Sequence, residues 1–490
     1  MTYTPNKNSV SRHEVPDWYH DAKLGIFIHW GLFSVPAFAV SGRDYIESKD
    51  KEDHYANNPY AEWYLNALRI PESPTQKFHK ESYGKDFSYD DFVAMFNNEI
   101  EKWNPEEMAE LFKRAGAQYV VLVTKHHDGF ALWPSKYPNP KKENYHASRD
   151  IVGELSIAVK SKGMKMGFYY SGVLDWSFNP NPIINERNAL LNQIMPSGYV
   201  DYANNHWYEL IDRYEPIILW NDIGYPSGTN IYEIFAHFYN KYPEGVINDR
   251  WIQMREEVIH TLQTITSESI KKAESNMLKW KERALKRKGK KRTRVRKAVH
   301  YDFITPEYTS FNVILDQKWE TTRGIGNSFG YNKLETADDY MTSEELIRMF
   351  VDIVSKNGNL LLNVGPMADG TIPKIQKERL LDLGNWLTVN GEAIYGTRPW
   401  EYAEGITLDG IDVRYTQNQE ALFVILLDKP IENNFTVESL KIEKSSHVKL
   451  LSQEDDLDWK QEEENFTISI PESIEDSPAY VLNVSPKPVY

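Results

Sequence analysis

The chain has 490 residues, 41% hydrophobic and 26% charged, with a formal net charge of −15 and no cysteine. That length admits two or more domains with a large core, the acidic balance argues against nucleic acid as the main ligand, and the missing cysteines exclude disulfides and thiolate metal sites. The N-terminal MTYTPNKNSVSRHEVPDWYHD has no apolar signal core and no run of about 18 apolar residues occurs, so a cytoplasmic protein with no membrane partner is expected.

The first apolar run, GIFIHWG at 25–31, reads as a strand ending in His29. Residues 104–115 then read as an amphipathic helix. Asn104 is its N-cap, Pro105 suits its first turn, Glu107 completes a capping box, and Met108, Leu111, Phe112 and Ala115 form one face. Gly116 ends that helix, and the next strand ends in His126 and His127. DIVGELSIAVKSKGMKMGFYYSG repeats the plan, with Gly163 and a strand ending in Tyr169 and Tyr170. PIILWND at 216–222 ends in Asp222, GVINDR at 245–250 in Arg250, and VHYDFITPE at 299–307 in Glu307. An eighth strand is expected within 319–331. SEELIRMFVDIVSKNGNLLLNVGP repeats the helix–glycine–strand plan and carries Asn363.

Near-continuous apolar strands alternating with helices imply a parallel sheet covered on both faces. The count favours a (β/α)8-like barrel of the TIM type, irregular in places, over residues 1–395. No GxGxxG follows any strand, which counts against a dinucleotide fold. From 396 to 490 the runs ALFVILLD, HVKLL, NFTISI and AYVLNV are short and separated by turn residues. They predict a small C-terminal all-β sandwich.

Residues 252–298 read as an insertion in the barrel, and its stretch 271–297 holds 14 Lys and Arg against Glu274 and Glu282. A solvated helical insertion is one reading. The functional readings are binding to RNA, to an acidic lipid surface or to the acidic face of a second subunit, with subunit docking in a homo-oligomer the foremost.

In such a barrel the chemistry lies at the C-terminal ends of the strands, where His29, His126, His127, Tyr169, Asp222, Arg250 and Glu307 all fall. Packing alone does not put ionisable groups on so many strand ends. A metal site is one reading, but His29 has no His-x-His partner, and adjacent residues such as His126 and His127 point to opposite sides of a regular strand unless a strand-end distortion near Asp128–Gly129 turns both imidazoles toward one ligand. A pair of carboxyl groups acting on a glycosidic bond is another. Arg250 would keep Asp222 ionised, and a less polar setting between Pro306 and Tyr308 would suit Glu307 to donate a proton. The high aromatic content, 13% of the chain, fits either large cores or rings that pack on sugar C–H faces.

The motifs KLGIFIHWGLFSVPAF, NPYAEWY, TKHHDGFALW, GFYYSG, LWNDIGYP, NDRW, TPEY, TRGIGNSFGYN and GNLLLNVGP occur in order across about residues 15–395. In these the sequence resembles the retaining α-L-fucosidases of glycoside hydrolase family 29. The resemblance implies an exo-acting α-L-fucosidase without metal or other cofactor, with Asp222 as nucleophile and Glu307 as general acid/base. It implies that His29, Glu62, Trp63, His126, His127, Tyr169, Trp220, Arg250 and Phe329 line the fucose pocket. The insertion beside Glu307 departs from the family pattern, and Glu320 in KWETTRG is the reserve acid/base. A metal-dependent barrel hydrolase and a non-catalytic fucose-binding protein are the alternatives.

Overall fold

The computed structural model describes residues 2–42, 53–264, 299–471 and 474–488. The basic stretch 271–297 lies outside the described residues, so its docking role stays an expectation.

Seven parallel strands form one curled sheet: β1 (Leu24–Ile28), β2 (Tyr119–Lys125), β3 (Lys165–Ser171), β4 (Ile218–Asp222), β5 (Val246–Ile247), β6 (Trp319–Gly324) and β7 (Gly358–Val364). Their order is β5-β4-β3-β2-β1-β7-β6. Residues 302–308 span the gap between β5 and β6. Phe303 bridges to Asn248, Ile304 to Trp319, and Glu307 to Thr322, and the Asp302 N–H donates to Ile247 O at 2.8 Å. Among the described residues the barrel thus has seven paired staves and one irregular stave. The strand predicted at 299–307 is that irregular stave, and the one predicted within 319–331 is β6. Pro306 has no N–H to give a ladder, and Tyr308 turns to a positive φ of 49°; both interrupt regular pairing.

Both faces of the sheet are apolar because each packs on something. Phe27, Val121, Tyr169, Ile218, Trp220 and Phe303 fill the barrel lumen. Their neighbours Ile26, Ile28, Leu122, Phe168 and Leu219 pack outward against the helices. Period-2 alternation therefore persists in direction while vanishing from the hydropathy. The helices begin as their sequences dictate. Asn104 Oδ1 accepts from the N–H groups of Glu106 and Glu107 at the start of Pro105–Arg114, and Thr342 with Glu345 forms the capping box of Ser343–Ser355.

The C-terminal region is two antiparallel sheets. β8 (Arg398–Ile406), β9 (Asp412–Gln417), β10 (Leu422–Leu426), β12 (His447–Leu450) and β15 (Tyr480–Ser485) make one, ordered β12-β15-β10-β9-β8. β11 (Asn434–Val437), β13 (Asp458–Glu462) and β14 (Asn465–Ser469) make the other. Leu422, Val424 and Leu426 face the core between the sheets, whereas Phe423 and Ile425 join the core of the barrel domain. No helix among the described residues is long and apolar enough to cross a membrane.

Candidate active site

The rim of the barrel encloses a cleft of about 220 Å³. Asp222 is the last residue of β4 and is 8% exposed. Its Oδ2 accepts from the Tyr169 hydroxyl at 2.8 Å, and its Oδ1 lies 2.8 Å from Arg250 Nη1. Burial pushes the Asp222 carboxyl up, but Arg250, His127 and Tyr169 together outweigh it and hold the group below its ordinary value. The chain then turns sharply. Ile223 has φ 62° and Gly224 φ 99°, and a Cβ on Gly224 would sit 2.6 Å from Ile252 O. A β-branched residue in the left-handed region is strained. The turn directs Ile223 into the cleft wall.

Arg250 follows β5 and is fixed from three sides. Its Nε donates to Thr305 Oγ1 at 2.8 Å, its Nη2 to Thr305 O at 2.9 Å, and its guanidinium lies 4.7 Å over the Trp220 ring. Asn221 Nδ2 holds its backbone by donating to Arg250 O at 2.7 Å. The free face of Nη1 meets both candidate carboxylates, Asp222 Oδ1 at 2.8 Å and Glu307 Oε1 at 2.5 Å. Two oxygens on one nitrogen at those distances are at most about 5.3 Å apart. Glu307 lies on the irregular stave with its side chain 36% exposed. The less polar setting expected for it is absent: an arginine and solvent surround it instead.

Opposite the carboxylates stand three imidazoles. Asn363 Nδ2 donates to Phe329 O at 2.7 Å, so its Oδ1 accepts from His29 Nδ1–H at 2.6 Å. Ser171 Oγ donates to Leu174 O at 2.5 Å and accepts from His127 Nδ1–H at 2.7 Å. Both rings therefore keep Nε2 as an acceptor. Burial holds His29 down at about 4 and His127 at about 3, and pushes His126 well below its ordinary value. All three are neutral at physiological pH, suited to hydrogen-bond hydroxyls rather than to carry charge. Of the two arrangements open to His126 and His127, the strand-end distortion that turns both rings to one cleft is the one found. β2 ends at Lys125 with a register shift after Val123, so both residues lie beyond the regular pleat and their ring centroids are 3.9 Å apart.

Glu62 reaches the cleft from the 3-10 turn Ala61–Trp63. Its Oε2 accepts from Gly330 N–H at 2.8 Å, and burial raises its carboxyl to about 8. Phe329 packs on His29 with centroids 4.9 Å apart, and Trp63 meets His127 edge-on at 5.6 Å. The cleft thus brings together His29, Glu62, Trp63, His126, His127 and Tyr169, with Trp220, Asp222, Arg250, Glu307 and Phe329. Glu320 is not among them. It lies in the lumen below Trp220, fully buried, which corrects its standing as reserve acid/base: no substrate can reach it.

Sequence reasoning missed Tyr60, Ile183 and Gln193, which also line the cleft. Tyr60 sits inside the quoted NPYAEWY motif; Ile183 and Gln193 come from a loop and a short helix without a motif of their own. Among the described residues, three metal-type ligands within mutual reach occur only at His13, His300 and Asp302. That cluster is tied into Tyr239 and Pro243 O and lies off the cleft.

Comparison with known proteins fits this geometry. The family described as alpha-L-fucosidase matches residues 1–392, and the alpha-L-fucosidase C-terminal domain matches 410–485. The chain belongs to the α-L-fucosidase family. It is 30% identical over 480 residues to the tissue alpha-L-fucosidase of Rattus norvegicus, covering 96% of this chain and 89% of that one. With the alpha-L-fucosidase of Dictyostelium discoideum it shares 32% over 475 residues, covering 91% and 88%. The structure resembles the Thermotoga maritima alpha-fucosidase solved with a mechanism-based inhibitor, at TM-score 0.81 and 39% identity over 99% of this chain and 100% of that one. The chain is a glycoside hydrolase acting on α-L-fucosides, on a barrel followed by antiparallel sheets as in its relatives.

Proposed function

We propose that this α-L-fucosidase is exo-acting and works by double displacement, with Asp222 as nucleophile and Glu307 as general acid/base. The observation that carries the reading is the single Arg250 nitrogen shared by both carboxyl groups. The resulting separation, at most about 5.3 Å between those oxygens, suits a retaining pair at about 5–5.5 Å and is too short for an inverting pair at about 6.5–9.5 Å. Asp222, ionised and anchored, attacks C1 while Glu307 gives its proton to the departing oxygen. Water deprotonated by Glu307 then releases fucose with its configuration retained.

The rest of the cleft supports the substrate class. His29 and His127 offer Nε2 acceptors to ring hydroxyls. Glu62, held at about 8 by burial, can donate as well as accept near neutral pH. Phe329 and Trp63 give the methyl and C–H faces an apolar seat. A volume of about 220 Å³ lies below the ~300–1,000 Å³ of drug-sized sites, room for one terminal sugar. The Thermotoga maritima relative was solved with a mechanism-based inhibitor and with fucose.

The test is turnover of an aryl α-L-fucoside by Asp222→Gly with and without azide. Loss of turnover with rescue by azide, giving a fucosyl azide of inverted configuration, is expected. Undiminished turnover by the variant would remove Asp222 from the mechanism.

A further inference from the structure

Glu320 is a carboxylate in the lumen of the barrel, 0% exposed, on β6. A buried carboxylate costs free energy unless donors satisfy it, and three do. The hydroxyls of Tyr19 and Tyr119 donate to Oε2 at 2.8 and 2.5 Å, and Trp220 Nε1–H donates to Oε1 at 3.0 Å. The inward positions of other staves include Val121, Ile218 and Phe303, with the buried Asn359 paired in register beside Glu320 on β7 and Lys318 buried two residues before it.

The consequences run upward through Trp220. One face of its ring carries the Arg250 guanidinium at 4.7 Å. It also stacks on Tyr169, 5.5 Å between centroids and 25° between planes. Arg250 and Tyr169 are the two groups that hydrogen-bond the Asp222 carboxylate, and Arg250 also meets Glu307. An acceptor for the indole N–H polarises the ring as a seat for a cation, and a fixed N–H stops the ring from turning in its plane.

We propose that Glu320 is a positioning residue that locks the Trp220 indole as the platform on which Arg250 and Tyr169 hold Asp222. The inference rests on the roles proposed above for Asp222 and Glu307. It assigns Glu320 no contact with substrate and no proton transfer, so loss of activity on its removal has a signature different from loss of the acid/base. The charged and titratable groups facing Asp222 are Arg250, Tyr169, His127 and His29, and Glu307 faces it across Arg250. Of these, Arg250 and Tyr169 are the two that depend on the indole.

The experiment compares Glu320→Leu, Glu320→Gln, Trp220→Phe and Glu320→Leu/Trp220→Phe by kcat/KM against pH on an aryl α-L-fucoside, with thermal melts as the folding control. Glu320→Leu should lower kcat/KM roughly 10–100-fold, the scale of a small misplacement of reacting groups, and move the acid limb to higher pH as Arg250 loosens from Asp222. Glu320→Gln keeps a carbonyl acceptor for the indole N–H and should restore both. Trp220→Phe should also move the acid limb, and the double variant should be no worse than the poorer single, because the two act through one path. Single losses that multiply in the double variant, or an acid limb unmoved in Glu320→Leu and Trp220→Phe, would overturn the proposal. So would azide rescue of Glu320→Leu, or a lost basic limb, since those mark an acid/base. Should Glu320→Leu fail to fold, Glu320→Gln and Trp220→Phe decide the matter by the same acid limb. Asp222→Gly run alongside separates the two ideas. Its continued turnover would sink the nucleophile assignment, whereas its azide rescue beside an unaltered Glu320→Leu profile would sink the positioning role alone.

Discussion

Arg250→Met keeps an aliphatic stem over Trp220 and removes only the guanidinium that Asp222 and Glu307 share. Asp222 Oδ1 then loses a cation at 2.8 Å. At an effective dielectric constant of ~20, unit charges at that distance attract by roughly 6 kcal/mol. Water entering beside Glu307, whose side chain is 36% exposed, replaces most of that attraction and leaves a loss of about 1–2 kcal/mol. One pKa unit corresponds to about 1.4 kcal/mol, so the acid limb of activity should rise by about one unit. The sign follows from the role. A nucleophile must be ionised, activity is lost as pH falls through its pKa, and removing the cation that helps hold Asp222 down moves that loss to higher pH. The assay is kcat/KM for an aryl α-L-fucoside followed across the acid limb and the plateau. The plateau itself should drop about 10²–10³-fold, as when a preorganised donor is removed. An acid limb that stays in place while the whole profile sinks would refute the idea that Arg250 governs the ionisation of Asp222.

Lys125 and Asp175 form an ion pair at 2.8 Å with both side chains fully buried, so Lys125→Met should cost about 3–5 kcal/mol in urea unfolding by stranding the carboxylate; Lys125→Met/Asp175→Asn should recover part of it, and equal losses in both variants would argue against the pairing. Burial holds Glu62 at about 8 against an ordinary 4.5, so the fold keeps a proton that the unfolded chain has lost. Its contribution is intact below about 4.5 and is lost as pH rises to about 8. Glu62→Gln mimics the protonated group, so its melting temperature should gain on wild type across that window, and parallel curves would count against the shift. Ile223→Gly relieves a left-handed isoleucine worth about 1–2 kcal/mol of strain while losing half-buried packing and gaining chain entropy on unfolding. Stability should change by less than about 1 kcal/mol, with a raised KM from the opened cleft wall; a loss above about 3 kcal/mol would show that the residue is not strained.

The sequence made the barrel legible wherever apolar runs and capped helices coincide. Pro105–Arg114 begins at the predicted cap Asn104, and β1 to β4 end at or within two residues of side chains that line the cleft. What it hid is set by pairing and by bends. The strand expected at 245–250 pairs regularly over only the two residues of β5, and the one expected at 299–307 is held by single bridges on either side. The sequence left the directions of His126 and His127 open because alternation holds only inside a strand, and β2 stops just before them. The exposed strands β8 and β13 alternate charged and half-buried residues, a pattern that a polar loop shares. Glu320 shows the limit of strand-end reasoning most clearly. It is an acid near the right motif, yet it points into the lumen, because inward and rim positions differ by where the stave starts rather than by residue type.

The two carboxyl groups differ in how they are built, and the difference matches what double displacement asks of each. Asp222 closes a strand that is paired to a neighbour on each side, and its carboxylate has fixed partners on both oxygens. A nucleophile that must meet C1 in line gains from being held still. Glu307 stands on the one stave without regular pairing among the described residues, directly after Pro306 and before the positive-φ turn at Tyr308, with Arg250 as its ion-pair partner there and about a third of its side chain open to solvent. An acid/base has to serve the leaving group first and a water afterwards, so a longer side chain on a less constrained segment suits it. Arg250 reconciles the two by reaching from the end of β5 and resting on Trp220, which lets the rigid stave and the irregular one share a single cation.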